Sequence, residues 1–213
     1  MLDPIPALAL GFMLGMKHAT DSDHVAAVTA IVARERAIGR AAKIGALWGV
    51  GHTATIVLLG SAIILFRIAI PPRLGLAMEF AVALMLIGLG LMALRRKEDY
   101  TAEASLLRPL GIGFVHGLAG SAFVALLVLQ TIASPIAGVL YLLIFGLGTV
   151  AGMALITSAV ALPSIYAARR MLSLRRYIQV GAAAISIVFG VLLAHEVGVE
   201  GGLFSANPEW TPQ

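Results

Sequence analysis

Apolar residues run through this chain in long blocks rather than at the amphipathic spacing of a surface helix. Six blocks stand out, at about 5–33, 43–68, 75–94, 109–133, 136–162 and 178–197. Each is about the twenty residues or more that a helix rising about 1.5 Å per residue needs to cross a bilayer. The pattern therefore predicts an all-α polytopic membrane protein with about six transmembrane helices. The first block is the least regular, because polar residues interrupt its middle. A bend or local unwinding is expected there.

Composition supports the pattern. Of 213 residues 60% are hydrophobic and 12% charged, against roughly 25% charged in soluble domains. The charges that remain sit between the blocks. Arg34, Arg36, Arg40 and Lys43 follow the first, Arg95, Arg96, Lys97 and Arg108 follow the third, and Arg169, Arg170, Arg175 and Arg176 follow the fifth. The opposite side offers Arg67 and Arg73. This bias predicts both termini outside, with the first helix running inward. Short arginine clusters beside membrane spans need no nucleic acid to explain them, and none is expected as a partner. The first residues include Asp3 and no basic stretch, so no cleavable leader is expected. Cysteine is absent, which excludes disulfides, thiolate metal sites and iron–sulfur clusters. No phosphate-cradling GxxxxGK[ST] loop occurs, so ATP hydrolysis by this chain is not expected.

The interruption in the first block is dense in chemistry. Lys17, His18, Asp21, Asp23 and His24 lie within eight residues, near the expected bilayer midplane. Ionisable groups at that depth are costly, so a functional site is the default reading. On one continuous helix His18, Asp21 and His24 follow in steps of three and span an arc of about 120° on one face. Asp23 then falls near the opposite side. Imidazole with carboxylate is borderline ligation suited to Ni, Co, Zn, Fe or Cu as divalent ions. The competing reading is an internal ion pair, with Lys17 and Asp21 four residues apart. One helix rarely closes a coordination shell, so neighbours must contribute. His52, inside the second block with Thr55 one turn on, is a ligand or pathway candidate. His116, in the fourth block, is another, with a packing contact as its rival. Met153, Glu79 and the His195-Glu196 pair are weaker candidates, and each is read first as packing or interfacial. The segment 198–213 is expected to be an irregular outer tail, with Trp210 touching the headgroup region.

The two halves look related. Gly15-x-x-His18 followed by Ala19 recurs as Gly113-x-x-His116 followed by Gly117. A single transmembrane domain is expected over 1–213. It would hold a three-helix unit at about 1–98 and a second at about 105–197, inverted because three crossings per unit is odd. Small-residue pairs such as Gly11/Gly15, Gly113/Gly117 and Gly148/Gly152 read first as helix–helix contacts.

With these residues in view, His18-Ala19-Thr20-Asp21-Ser22-Asp23-His24-Val25 resembles the signature of the nickel/cobalt transporters, the NiCoT or NicO group. Gly51-His52-Thr53 is similar to that family's second block. The resemblance is clear over roughly 8–60 and fainter through 160. It implies uptake of Ni²⁺ or Co²⁺ across the cytoplasmic membrane, with His18, Asp21, Asp23, His24 and His52 needed for metal recognition or passage. Two departures stand out: longer members have eight helices, and they carry acids where this chain has Gly117 to Ser121. The chain looks more like the short, urease-accessory-type branch.

The expectation is therefore a secondary transporter or uniporter whose substrate is Ni²⁺ or Co²⁺, held at His18, Asp21, Asp23, His24, His52 and His116. No resident cofactor and no catalysis are expected. The expected partners are the metal ion, the lipid bilayer, and a metallochaperone or a second copy of the chain. Two rivals remain: a membrane subunit that needs an external partner, and a membrane enzyme using His18 and Asp23 as an acyltransferase-like dyad. The enzyme reading lacks the further phosphate-binding blocks it would need, and no His-Glu-x-x-His helix is present.

Overall fold

The computed structural model describes residues 4–67, 70–95, 107–118, 134–170 and 172–210. The described residues are helical apart from short connections and the C-terminal segment. In chain order the helices are α1 (Pro4–His18), α2 (Ser22–Val32), α3 (Ile38–Phe66), α4 (Pro72–Arg95), α5 (Leu107–His116), α6 (Pro135–Arg170) and α7 (Leu172–His195). A short π-helical turn, Glu196–Glu200, extends α7.

Among the described residues four helices are long and apolar enough to span a membrane: α3, α4, Pro135–Ala167 of α6, and Arg176–Glu200. They coincide with the expected second, third, fifth and sixth blocks. The first block does not form one helix. It breaks at Ala19–Asp21 into α1, of 15 residues, and α2, of 11. The expected irregularity is thus a complete break. α1 closes with tight turns, Thr20 N–H to Lys17 O and Asp21 N–H to His18 O. α2 restarts with extended Asp21 as its N-cap. Of the fourth block the structure describes α5 and the turn to Leu118; the remainder to residue 133 lies outside the described residues.

Packing is governed by backbone approach at glycine. A Cβ on Gly15 would fall on the Phe145 carbonyl, and one on Gly148 on the Phe12 carbonyl. α1 and α6 are therefore antiparallel and in near contact. The α5–α3 crossing repeats this. Gly113 lies on the Trp48 carbonyl and Gly51 on the Leu110 carbonyl. The two crossings correspond position for position, since 12 and 15 shifted by 98 give 110 and 113, and 48 and 51 shifted by 97 give 145 and 148. α3 packs on α6 in the centre, antiparallel, with Gly49 against Val150 and Gly146 against Thr53. α4 and α7 form a second antiparallel pair, with Gly90 against the Ala183 carbonyl and Gly190 against the Ala83 carbonyl. α2 reaches across to α4, α6 and α7. The small-residue pairs that the sequence suggested as helix contacts fill that role.

Large apolar side chains are exposed along the outer faces, among them Leu58, Leu84, Leu147, Leu155 and Leu192. Buried polar residues lie within: His18, His24, His52, Thr55, His116 and Ser186. An apolar exterior around a polar interior suits lipid as solvent, where no water is at hand to satisfy exposed polar groups.

From Gly201 on the C-terminal segment is irregular, as expected, and it folds back onto the helices at Trp210. The Trp210 ring lies against Gly75 of α4, where any side chain would collide, and its indole N–H donates to Glu79 Oε1 at 2.9 Å. Glu209 N–H bonds Gly201 O, and Arg73 donates to Ser205 O at 2.8 Å. Leu76, Val197 and Leu203 are buried beneath, with Phe80 and Trp210 packed on them. The tail is a folded cap over one end of α4 and α7. Glu79 is buried and held by that cap.

Candidate metal site

The break between α1 and α2 determines the site. α1 ends on His18, which faces α3. α2 then starts in a new direction, so residue phases do not carry across from α1. Asp23, which a continuous helix would turn away, faces the same cluster as His24. α3 contributes His52, one turn past Trp48, and α5 contributes His116 at its C-terminal end. The glycines Gly15, Gly49 and Gly113, three residues before His18, His52 and His116, let the backbones come close enough for the rings to meet.

The four imidazoles are buried, three of them completely. His24 is central: its ring centroid is 4.6 Å from that of His18, 4.9 Å from His52 and 4.2 Å from His116. His18 Nε2 lies 2.9 Å from His52 Nε2. Asp21 Oδ2 is 2.8 Å from His18 Nδ1. Asp23 Oδ1 accepts from His24 N–H at 2.8 Å and lies 2.9 Å from His24 Nδ1, while Asp23 Oδ2 is 3.0 Å from His116 Nε2. Two triplets bring one ligand atom per residue within 4.8 Å of one another: His18, His24 and His52, and Asp23, His24 and His116.

The carboxylates fix the ring tautomers, because an ionised carboxylate only accepts. His18 and His24 must carry their protons on Nδ1, and His116 on Nε2. His18 Nε2 is then a lone pair and accepts from His52 Nε2–H. What remains is His24 Nε2, His52 Nδ1 and His116 Nδ1, all buried and without a hydrogen-bond partner among the described residues. An unpaired buried polar atom costs about 1–3 kcal/mol. Three of them in one cluster form a nitrogen-rich set of lone pairs, the chemistry of a borderline divalent cation.

Of the six residues expected at the site, all are in this cluster; Asp21 is at its edge, its side chain 40% exposed. Lys17 does not pair with Asp21, which is turned to His18 while Lys17 is exposed. Thr55 does not orient His52. Its hydroxyl donates to Phe114 O at 2.8 Å and ties α3 to α5. Met153 is fully buried in the apolar core with Trp48. His195 is exposed and faces Glu200 at 3.8 Å.

The aromatic walls were not anticipated. Trp48 stacks at 5.9 Å on His24 and 5.4 Å from His116, and Phe145 lies 5.5 Å from His18. Trp48 had a legible signal: it is four residues before His52, on the same helix face. Phe145 had none, since its partner lies on a helix far away in sequence.

Two curated proteins are similar to this chain. A urease accessory protein UreH from Bacillus sp. (strain TB-90) is 36% identical over 221 aligned residues, covering 95% of this chain and 96% of that protein. The chloroplast protein FOR GROWTH AND FERTILITY 2 of Arabidopsis thaliana is 29% identical over 171 residues, covering 67% of this chain and 44% of that protein. No family model matches the chain, and no solved structure matches it.

Proposed function

The chain belongs to the family of the urease accessory protein UreH, and from that premise we propose that it takes up Ni²⁺, or Co²⁺, across the cytoplasmic membrane through the His/Asp cluster. The observation that carries the reading is the convergence of four buried imidazoles and two carboxylates from α1, α2, α3 and α5, with ring nitrogens left unpaired. The urease accessory name of the relative supports nickel as the cargo.

The metal is substrate. It sheds water on entering and is held by the imidazole nitrogens that the cluster leaves unpaired. Passage follows from motion of two inverted three-helix units against each other. The matched α1–α6 and α5–α3 crossings and the antiparallel α3–α6 and α4–α7 pairs support such units. The membrane potential supplies the work: at about 100 mV a divalent ion entering a negative interior gains about 4.6 kcal/mol, near a thousandfold accumulation. In this reading the termini face outward, no reaction is catalysed, and a metallochaperone or second copy is the partner inside the cell. A second reading, a membrane subunit that binds metal but needs an external partner to move it, is favoured by the word accessory in the relative's name.

Uptake into proteoliposomes containing this chain alone, under an inside-negative potential, decides between them. Saturable Ni²⁺ or Co²⁺ entry that a His18→Ala variant loses by at least tenfold is expected. Metal binding dependent on His18 without entry would establish the partner-dependent subunit. Neither binding nor entry would remove the metal reading altogether.

A further inference from the structure

Resting on the metal reading of the cluster, we propose that Asp23 is a positioning residue and not a metal ligand: it holds His24 and His116 by their N–H edges, so that the cation meets imidazole nitrogen alone. Three donors converge on this one carboxylate. Oδ1 takes the backbone N–H and Nδ1–H of His24, and Oδ2 takes Nε2–H of His116. An ionised carboxylate has about four acceptor sites, so most of its capacity is committed to the two rings. The unpaired nitrogens are on the far edges of those same rings, at His24 Nε2 and His116 Nδ1. Direct coordination by Asp23 would compete with the bonds that set both rings and still leave those nitrogens unpaired.

Asp21 does the same for His18 from the other side of the chain break, with a single bond at 2.8 Å. The two acids of the motif thus stand behind the rings. Such outer partners fix ring orientation and raise ligand basicity, and losing one commonly weakens metal affinity by about 10–100-fold. Asp23 has a further consequence that Asp21 lacks. Its Oδ2 reaches His116 of α5, so the same carboxylate sets a ligand and ties α2 to the second half of the chain.

The test uses the purified full chain with Zn²⁺ as a diamagnetic probe, reading the histidine rings by ¹⁵N NMR beside binding affinity. In the wild type, His24 should carry metal on Nε2 and keep its Nδ1 proton. Asp23→Asn retains one acceptor oxygen, enough for His24, so it should keep the His24 pattern. Its amide NH2 then faces His116 Nε2 and shifts the proton of that ring to Nδ1, so binding should fall between wild type and the Ala variant. Asp23→Ala should lose the Nδ1–H signature of His24 and bind about 10–100-fold more weakly. A cation found on His24 Nδ1, an unchanged His24 tautomer in Asp23→Ala, or loss of the His24 pattern in Asp23→Asn would each overturn the proposal. Because Asp23→Asn is isosteric, its tautomer pattern is readable even where the Ala variant fails to fold. Binding with these signatures but without proteoliposome uptake would overturn the transport reading and leave the role of Asp23 standing. Absence of any His18-dependent binding would overturn both.

Discussion

Two seams of this molecule are built by the same packing device and filled with opposite chemistry. Where α1 meets α6 and α5 meets α3, glycines bring backbones together, and imidazoles and carboxylates occupy the space beside them. Where α4 meets α7, Gly90 and Gly190 do the same work. There the polar content is modest: Ser186 donates to Leu86 O at 2.8 Å, and Gln179 donates to the Ala93 carbonyl. Each of these groups donates to a helix carbonyl. Close glycine approach is therefore not a mark of a site. The mark is a set of buried nitrogen atoms that the protein orients and then leaves without a partner.

The comparison breaks most visibly at the glycines. Gly113→Val would drive a side chain into the Trp48 carbonyl, a backbone atom that cannot step aside. Overpacking of a tight core commonly costs about 1–3 kcal/mol, and here the upper end or beyond is expected. Because α5 carries His116 and Trp48 walls the cluster, metal affinity should fall with the thermal midpoint. Gly90→Ala meets the Ala183 carbonyl at 2.7 Å and a movable Ile187 side chain. It should cost about 1–3 kcal/mol of stability and leave metal affinity unchanged. Thermal unfolding in detergent beside metal titration checks the pair. Equal effects on affinity would mean that the two seams are mechanically one.

Much of the histidine-lined seam was legible in the sequence, and the reason is energetic. His18, Asp21, Asp23, His24, His52 and His116 stand out because an ionisable residue in an apolar block is hard to explain otherwise. Their mutual geometry was not legible. Helical phase put Asp23 opposite His24's face, and the chain break at Ala19–Asp21 cancels that argument, since phase does not carry across non-helical residues. Lys17 looked like Asp21's partner on the same ground and is not. The C-terminal cap was illegible for a different reason. Gly201, Gly202 and Pro208 signal irregular chain, but nothing local says that Trp210 folds back onto Gly75 and Glu79, contacts more than a hundred residues away.

The cap sharpens the comparison at intermediate scale. Trp210→Ala removes an indole packed on Gly75 and the N–H that binds Glu79. A fully buried aromatic lost this way costs about 3–5 kcal/mol. Trp210 is only half-buried, so about 1–3 kcal/mol is expected. The effect belongs to the end of the α4–α7 pair, so the thermal midpoint should drop while metal affinity stays within about twofold. Weakened metal binding would show that the cap and the cluster are coupled, and would make Glu79 part of the ion route.

The smallest effect is expected at Lys17. Its neighbours in sequence are the densest chemistry in the chain, yet its side chain is exposed, and its backbone oxygen accepts from Thr20. His18 takes the carboxylate that Lys17 would need. An exposed cation near a buried cluster acts through screened Coulomb interaction only, worth a fraction of a kcal/mol. Lys17→Met should therefore leave Ni²⁺ affinity within about twofold at physiological salt. A tenfold change would mean that Lys17 swings into the cluster in some state of the cycle, exchanging with His18 for Asp21. The motif would then contain its own competitor for the metal, and the tautomer of His18 would depend on which partner Asp21 holds.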